Sequence, residues 1–300
     1  MTIKTKIFRF FYFVLRMIVR IPELFGVKTR MHENTIARWL VPMYIKKNFV
    51  PLIKDLPEQK PVRTNPETIW QFWTPNKVFG TPDVVKACMN TVEKHRGEKK
   101  HIILNNDNLS DFTDLPGFVY DRFKSGDMWP AHFTDIVRLE ALHKNGGIWM
   151  DATNYMTAPI PEYIDSLPFF IFHAISEGSP YSLIQNCFIK ADKGAFLLDG
   201  WLALILEYWK KENKKIDYFQ HQLMFKALIQ GDARAAKLYS EMPVIDQKET
   251  HQLSLEKMLA PFDEKRWAEI SAGSFFQKLR YQFKEIPSGS YLDVLTKAAL

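Results

Sequence analysis

The spacing of apolar residues changes repeatedly along the chain beyond residue 64. Short apolar runs alternate with longer segments in which apolar residues recur every three or four positions, as in strands that alternate with amphipathic helices. We expect strands at residues 68–73, 101–105, 148–151, 169–174 and 186–190. We expect helices at residues 83–95, 131–144, 194–211, 217–230 and 253–259. Strands joined by crossover helices form an α/β sheet, which binds ligands beyond the carboxyl ends of its strands.

The N-terminal residues predict a helix with one apolar and one basic side. At 100° per residue, the apolar side gathers Ile7, Phe11, Val14, Ile18 and Ile21, and the basic side gathers Arg9, Arg16 and Arg20. Such a helix is suited to lie at a membrane surface. In the alternative, it packs on the protein's own core and its arginines face water. The arginines also interrupt the apolar stretch, so we expect neither a signal peptide nor a membrane-spanning helix.

A basic segment at residues 1–63 precedes the alternating region. It carries 13 Lys and Arg against four Asp and Glu, whereas the whole chain has a net charge of +6, so the remainder is slightly acidic. A second helix at 33–48 and a linker punctuated by prolines complete the segment. We therefore predict an arm and linker at 1–63 and a body at 64–300. The arm is expected to contact an anionic membrane surface, and the acidic body argues against nucleic acid as a partner.

The overall composition is that of a folded protein with a sizeable core. The chain has 300 residues, of which 46% are hydrophobic and 25% are charged, which excludes collagen-like, coiled-coil and disordered classes. Its two cysteines, Cys88 and Cys187, lie in apolar stretches and cannot form a disulfide framework or a four-ligand zinc site. We expect two buried thiols in a reducing cytoplasm, with the arm placing the protein on the inner face of the cell membrane.

One stretch carries the residues best suited to chemistry, HFTDIVRLEALHKNGGIWMDAT at 132–153. Asp135 and Arg138 lie on the same side of an otherwise apolar helix, and a charged pair there needs a partner or a ligand. A Gly-Gly turn then leads into an apolar strand that ends at Asp151. A carboxylate at that edge of the sheet is a hard oxygen donor, where a divalent cation and a diphosphate could meet.

Three segments together resemble one known family. They are IWQFW at 69–73, TDIVR at 134–138 and NGGIWMDAT at 145–153. They resemble the sugar-transferring glycosyltransferases of the GT-A fold that carry a DXD motif, especially the capsular polysaccharide synthesis branch. Weaker similarities are QNCFIKA at 185–191, DYFQHQLMF at 217–225 and SFFQKLRY at 274–281. The resemblance implies a GT-A type, Rossmann-like mixed sheet flanked by helices.

The resemblance also implies roles at a donor site. It places Trp70 or Trp73 beside the nucleotide base, Asp135 and Arg138 on the donor ribose and sugar hydroxyls, and Asp151 on the ribose or a metal. One position departs from the family pattern, because Thr153 stands where the second DXD aspartate is expected. A neutral hydroxyl is a weaker cation ligand than a carboxylate, so metal affinity should be lower or supplied by other residues.

The expected cofactor is a divalent cation, Mn²⁺ or Mg²⁺, held by Asp151 and His251. Glycosyl transfer builds negative charge on the leaving phosphate, and Lys278 is a candidate to stabilise it. Related enzymes retain the anomeric configuration, so the leaving phosphate takes the acceptor proton while a polar side chain steadies the oxocarbenium face. The candidates for that side chain are Gln185, Asn186 and Asp217. Structural roles are equally open, since Asp217 suits a helix N-cap and the two amides suit a strand end.

These expectations describe a membrane-associated, bacterial-type glycosyltransferase. It would move a hexose from a UDP- or GDP-linked sugar to a capsular or lipopolysaccharide-type surface glycan, or to a lipid-linked precursor of that glycan. The first alternative is a nucleotide-sugar hydrolase or a phosphosugar transferase that uses the same donor site. The second is a non-catalytic scaffold that binds nucleotide sugars, because Thr153 weakens the expected metal site.

Overall fold

A mixed sheet forms the centre of a computed structural model that describes residues 2–26, 30–78, 80–175, 183–253 and 255–300. The strands within these residues are β1 (Thr68–Phe72), β2 (Lys100–Leu104), β3 (Gly147–Met150), β4 (Asn154–Met156), β5 (Phe169–His173), β6 (Ile184–Ala191) and β7 (Phe276–Lys278). The order across the main sheet is β2-β1-β3-β6-β5, and β4 pairs separately with β7. Strand β1 is parallel to β2 and β3, whereas β6 is antiparallel to β3 and β5.

Helices flank this sheet. In the described residues they are α1 (Ile3–Arg20), α2 (Arg30–Asn48), α3 (Asp83–His95), α4 (Leu109–Phe112), α5 (Gly117–Lys124), α6 (Pro130–Asn145), α7 (Glu162–Asp165), α8 (Phe196–Lys211), α9 (Gln220–Gly231), α10 (Ala233–Glu241), α11 (Leu255–Met258), α12 (Glu264–Gly273) and α13 (Tyr291–Ala299). Short 3₁₀ turns lie at Ile21–Phe25, Val50–Ile53 and Gln247–His251.

The predicted mixed α/β architecture is confirmed. Every strand and helix expected from the apolar pattern forms, with ends displaced by at most three residues. The pattern missed the strands β4 and β7 and the helices α4, α5, α7, α10, α12 and α13. A three-residue strand contains too few positions to show an alternation, and β4 meets β7 only through tertiary structure.

The turn between α6 and β3 requires glycine. Gly146 and Gly147 adopt positive φ values of 69° and 105°. A Cβ on Gly147 would lie 2.3 Å from the carbonyl oxygen of Thr68 in β1, so only a residue without a side chain allows this approach. The turn sets α6 against β1 and β3, and α6 carries Asp135 and Arg138.

The N-terminal segment shares the core of the body. Helix α1 packs on α2, which packs on α9. Tyr12 and Val41 are buried in the same apolar cluster as the sheet, and Val62 in the linker pairs with Lys193. The predicted boundary near residue 64 therefore does not separate two cores. None of the described helices combines the length and the apolar character needed to cross a membrane.

Helix α1 turns its polar side toward the body. The Tyr12 hydroxyl donates to Asp217 at 2.6 Å, and Arg16 pairs with the same carboxylate at 3.3 Å. Thr5 is buried and donates to Glu212 at 2.5 Å. The exposed residues of the segment include Ile3, Ile7, Phe10, Phe11, Ile18 and Ile21. The helix therefore packs on the body, as the alternative expected, but through its polar side, because Glu212 and Asp217 on the body bind that side and leave the apolar side exposed.

Candidate active site

A cleft of about 1080 Å³ opens beyond the carboxyl ends of β1 and β3. Trp73 follows β1 and Asp151 follows β3, while the antiparallel β6 brings its amino end to the same edge. Sequence-predicted residues that line the cleft are Trp73, Asp135, Arg138, Asp151, Thr153, Gln185, Asn186 and Lys278. The preference of ligands for the carboxyl ends of strands thus located the cleft.

Two carboxylates and two cations form a chain of ion pairs along the cleft. The Arg138 guanidinium donates to Asp135 at 2.8 Å through Nη1 and to Asp151 at 3.1 Å through Nη2. Lys278 donates from Nζ to the other oxygen of Asp151 at 2.6 Å. The Trp149 indole N–H adds a bond of 2.9 Å to Asp151, and Arg138 lies over the Trp149 ring. These contacts fix both carboxylates in place.

The same neighbours keep the carboxylates ionised. Burial favours the neutral acid, but Lys278 and Arg138 outweigh it and lower the pKa of Asp151. Burial acts on Asp135 in the same direction, and its neighbours His221 and Arg138 lower the pKa of Asp135 to about 2. Carboxylates with such low pKa values are weak proton acceptors near neutral pH.

His221 lies behind Asp135 and is not among the residues that line the cleft. Its Nε2 is 4.0 Å from Asp135 Oδ1, and its ring stacks on Trp201. Burial lowers the pKa of His221 to about 3, so the imidazole is neutral at pH 7. At pH 7 the charged neighbour of Asp135 is therefore Arg138, and His221 adds its positive charge only below about pH 3, near the pH at which Asp135 itself titrates.

The residues around Asp151 do not fit the predicted divalent cation. Both oxygens of Asp151 already accept hydrogen bonds, from Lys278 on one and from Arg138 and Trp149 on the other. Thr153 offers only a neutral hydroxyl, and the described part of the chain holds no group of three or more His, Cys, Asp or Glu arranged for a metal. A cation entering here would also meet two resident positive charges.

His251, the second predicted metal ligand, is engaged on both ring nitrogens. Its Nδ1 lies 2.7 Å from Thr250 Oγ1 and 3.2 Å from the Gln247 carbonyl oxygen, and its Nε2 lies 3.2 Å from the Gln185 amide nitrogen. Burial lowers the pKa of His251 to about 4, so the neutral ring can accept from Gln185. His251 therefore orients Gln185, which lines the cleft, and does not line it itself.

The two tryptophans proposed for the nucleotide base occupy different environments. Trp70 is buried, and its indole N–H donates to the Gly146 carbonyl at 2.9 Å, so it stabilises the turn before β3. Trp73 lines the cleft and packs edge-on against Tyr281, with ring centroids 5.2 Å apart. The Trp73 indole N–H has no hydrogen-bond partner within the described residues. Trp73 is therefore the tryptophan available to a ligand.

The three polar candidates for a catalytic role are not brought together. Gln185 and Asn186 line the cleft, and the Asn186 amide donates to Asp135 at 3.2 Å. Asp217 does not line it, because its carboxylate accepts from Tyr12, from Arg16 and from the backbone N–H of Phe219. Asp217 is not the N-cap of α9 either, because Phe219 occupies that position without a side-chain cap, and the Asp217 carboxylate accepts from Phe219 in the turn just before the helix.

Several cleft residues escaped the sequence analysis. They include Tyr218, Gln222 and Tyr281. Tyr281 reaches the cleft because the chain after β7 returns to the turn after β3, where the Leu279 N–H donates to the Thr153 carbonyl. Its place three residues after Lys278, in a segment similar to the family, was the available signal. Trp149 fits the pattern of a core residue, but it borders the cleft, donates its indole N–H to Asp151 and lies under Arg138.

The fold and the cleft define an α/β protein with a polar, cation-bearing site at the carboxyl edge of its sheet. The chain belongs to the capsular polysaccharide synthesis protein family, whose model matches residues 24–295. The family resemblance predicted from the sequence is confirmed.

Individual proteins similar to this chain carry glycosyltransferase names. The O-glycosyltransferase braB of Annulohypoxylon truncatum is 23% identical over 176 residues, which cover 54% of this chain and 42% of that protein. The match thus spans less than half of that relative's length. A solved structure named PaToxG Glycosyltransferase aligns with a TM-score of 0.40 and 17% identity over 69% of this chain and 85% of the other.

Proposed function

We propose that this protein is a glycosyltransferase that moves a hexose from a UDP- or GDP-linked sugar to a surface glycan or its lipid-linked precursor. One observation carries the proposal: Arg138, Asp151 and Lys278 form a chain of ion pairs in a cleft bordered by Trp73. Fixed cations suit a diphosphate, and an aromatic ring suits a nucleotide base. The family description and the name of the fungal relative support the same interpretation.

The ionised carboxylates favour a reaction that retains the anomeric configuration. Within the described lining of the cleft, Asp135 and Asp151 are the carboxylates, and both are held in ion pairs. An inverting transferase needs a base for the acceptor hydroxyl, and these groups are poor bases. In the retaining reaction, the acceptor oxygen bonds to the anomeric carbon on the face from which the phosphate leaves. The phosphate keeps the electron pair of the broken bond and takes the acceptor proton.

The outward side of α1 supports contact with an anionic membrane. Ile7, Phe11 and Ile18 are more than half exposed although Tyr12 on the opposite side is buried. The excess of Lys and Arg in the first 63 residues supplies the charge that attracts acidic lipids. An interfacial helix would keep the cleft near a lipid-linked acceptor, which raises the local acceptor concentration. We infer that the protein is peripheral, on the cytoplasmic face.

The decisive experiment measures binding of UDP- and GDP-sugars and their transfer to extracted lipid-linked and soluble glycans. The wild-type chain is expected to bind one nucleotide sugar and to turn it over only when an acceptor is present. Replacing Asp151→Asn removes the ion-pair centre of the cleft and should lower transfer by about 100-fold, since a charged hydrogen-bond network is lost. Asp121→Asn, an exposed change on α5 outside the cleft, is the matched control and should leave transfer unchanged.

Each other outcome would identify a different activity for this protein. Donor turnover without an acceptor would identify a nucleotide-sugar hydrolase, and a sugar-phosphate product would identify a phosphosugar transferase. Binding without any turnover would identify a scaffold. A folded chain that binds none of the nucleotide sugars would overturn the proposal.

A further inference from the structure

We propose that the donor site works without a divalent cation, and that the Lys278 ammonium group takes the cation's place beside the donor diphosphate. The inference rests on the proposed function, because it states how the same cleft holds a nucleotide-diphosphate sugar. It reverses the cofactor expectation drawn from the DXD-like sequence. The reason lies in which groups surround Asp151.

The backbone delivers Lys278 to the turn that carries the DXD-like residues. In the small sheet, Lys278 in β7 is the register partner of Asn154 in β4. The next residue along, Leu279, donates its N–H to the carbonyl of Thr153 at 2.9 Å. Lys278 is thus anchored on both sides of its own position by sheet-like hydrogen bonds. A side chain on such a scaffold is placed more accurately than one on a free loop.

The side chain of Lys278 is placed to act on a ligand. Its Nζ lies 2.6 Å from Asp151 Oδ2, and both side chains are 24% exposed toward the cleft they line. An ammonium group has three hydrogens, and within the described residues Asp151 is the one side chain to which Lys278 donates. The remaining hydrogens are available to phosphate oxygens. Partial burial strengthens such contacts relative to water.

The charge balance of the cleft argues in the same direction. Among its described lining residues, Lys77, Arg138 and Lys278 are cationic and Asp135 and Asp151 are anionic, so the cleft is net positive before any ligand binds. A diphosphate group complements that charge. A divalent cation would have to compete with Lys278 and Arg138 for the oxygens of Asp151, against the repulsion of both.

The identity of residue 153 agrees with this arrangement. A second carboxylate at that position would complete a metal site, but Thr153 adds no charge to the cleft. Lys278 then serves the transfer step directly. As the bond between the anomeric carbon and the phosphate oxygen breaks, the electron pair stays on the phosphate. The ammonium group stabilises the growing negative charge while keeping its own proton.

The test is calorimetric titration of the full chain with UDP and with GDP, in EDTA and in Mn²⁺. We expect the nucleotide that binds to do so in EDTA, with a Kd within about twofold of the value in Mn²⁺. Lys278→Gln should weaken binding in EDTA by about 10- to 100-fold, the loss expected for one charge-assisted contact. Lys278→Arg, which keeps the charge, should bind within a few-fold of wild type. Lys284→Gln, an exposed change in the same segment, is the matched control and should not alter the Kd.

The outcomes separate the inference from the function on which it rests. Binding that needs Mn²⁺ overturns the cation-independent site, and Lys278→Gln binding as tightly as wild type in EDTA overturns the role of Lys278. Either result leaves the transferase intact. Binding of neither nucleotide under either condition removes the donor site altogether. If Lys278→Gln does not fold, as judged by thermal unfolding, the comparison of wild type in EDTA and Mn²⁺ decides alone.

Discussion

Asp135 is largely buried and accepts hydrogen bonds from several donors. The free energy of unfolding therefore depends on whether Asp135 is ionised. Its pKa is lowered to about 2, below the usual value near 4 of an aspartic acid, so the native state favours the ionised form. The corresponding stability is fully present above about pH 4 and is lost as the pH falls toward 2, by up to about 2 kcal/mol. Asp135→Asn removes this titration.

We therefore expect the free energy of unfolding of Asp135→Asn to fall below that of wild type at pH 7, and the difference to shrink between about pH 4 and pH 2. Urea unfolding at a series of pH values measures both quantities. Asp107→Asn, at an exposed aspartate outside the cleft, serves as control. A difference between Asp135→Asn and wild type that does not change with pH would refute this role for Asp135.

Single residues show where sequence reasoning succeeds and where it stops. Residues directly after strands, such as Trp73 and Asp151, could be predicted because strand ends share one edge of a sheet. Trp70 and Trp73 could not be separated by pattern alone, since a nearby carbonyl, from Gly146, decides which indole is occupied. Asp217 fits a catalytic and a structural role equally until its partner Tyr12, more than 200 positions earlier, is located.

At the scale of elements, the α6–β3 turn is the junction on which the cleft depends. Gly147→Ala would place a Cβ 2.3 Å from the Thr68 carbonyl oxygen at a φ of 105°. We expect a loss of about 2 to 4 kcal/mol in unfolding free energy, from strain and displacement of β3 against β1. Gly289→Ala is the matched control: its φ is 75° but its Cβ would meet nothing within 4 Å, so about 1 kcal/mol is expected.

Urea denaturation of the two glycine variants distinguishes close approach from backbone conformation. Equal losses would mean that the backbone at Gly147 relaxes freely.

The same region explains which elements the sequence could predict. Long elements such as α6 have a period that can be read locally, whereas β7 exists because it meets β4, about 120 positions earlier. No local pattern encodes such a pairing.

At the scale of the whole molecule, the outward side of α1 predicts binding to acidic lipid. Wild type is expected to sediment with vesicles containing phosphatidylglycerol and far less with pure phosphatidylcholine. Changing Ile7→Glu together with Ile18→Glu should lower the bound fraction at least about tenfold, because each isoleucine contributes roughly 1.5 kcal/mol or more when buried among acyl chains. The exposed pair Gln230→Glu with Ser240→Glu adds the same charge elsewhere and should bind nearly as wild type. Equal binding by both double variants would disprove the membrane face.

The hydrogen bonds of α1 to Glu212 and Asp217 mean that this helix also supports the cleft. Asp217 immediately precedes Tyr218 and Phe219, which form part of the cleft wall. A variant without its first 25 residues would lose the support that α1 gives this wall, as well as the lipid contact. If that truncated variant were inactive, the loss of activity would wrongly be taken as evidence that the protein must bind a membrane. Only point changes on the outward side of α1 separate the loss of membrane contact from the loss of support for the cleft wall.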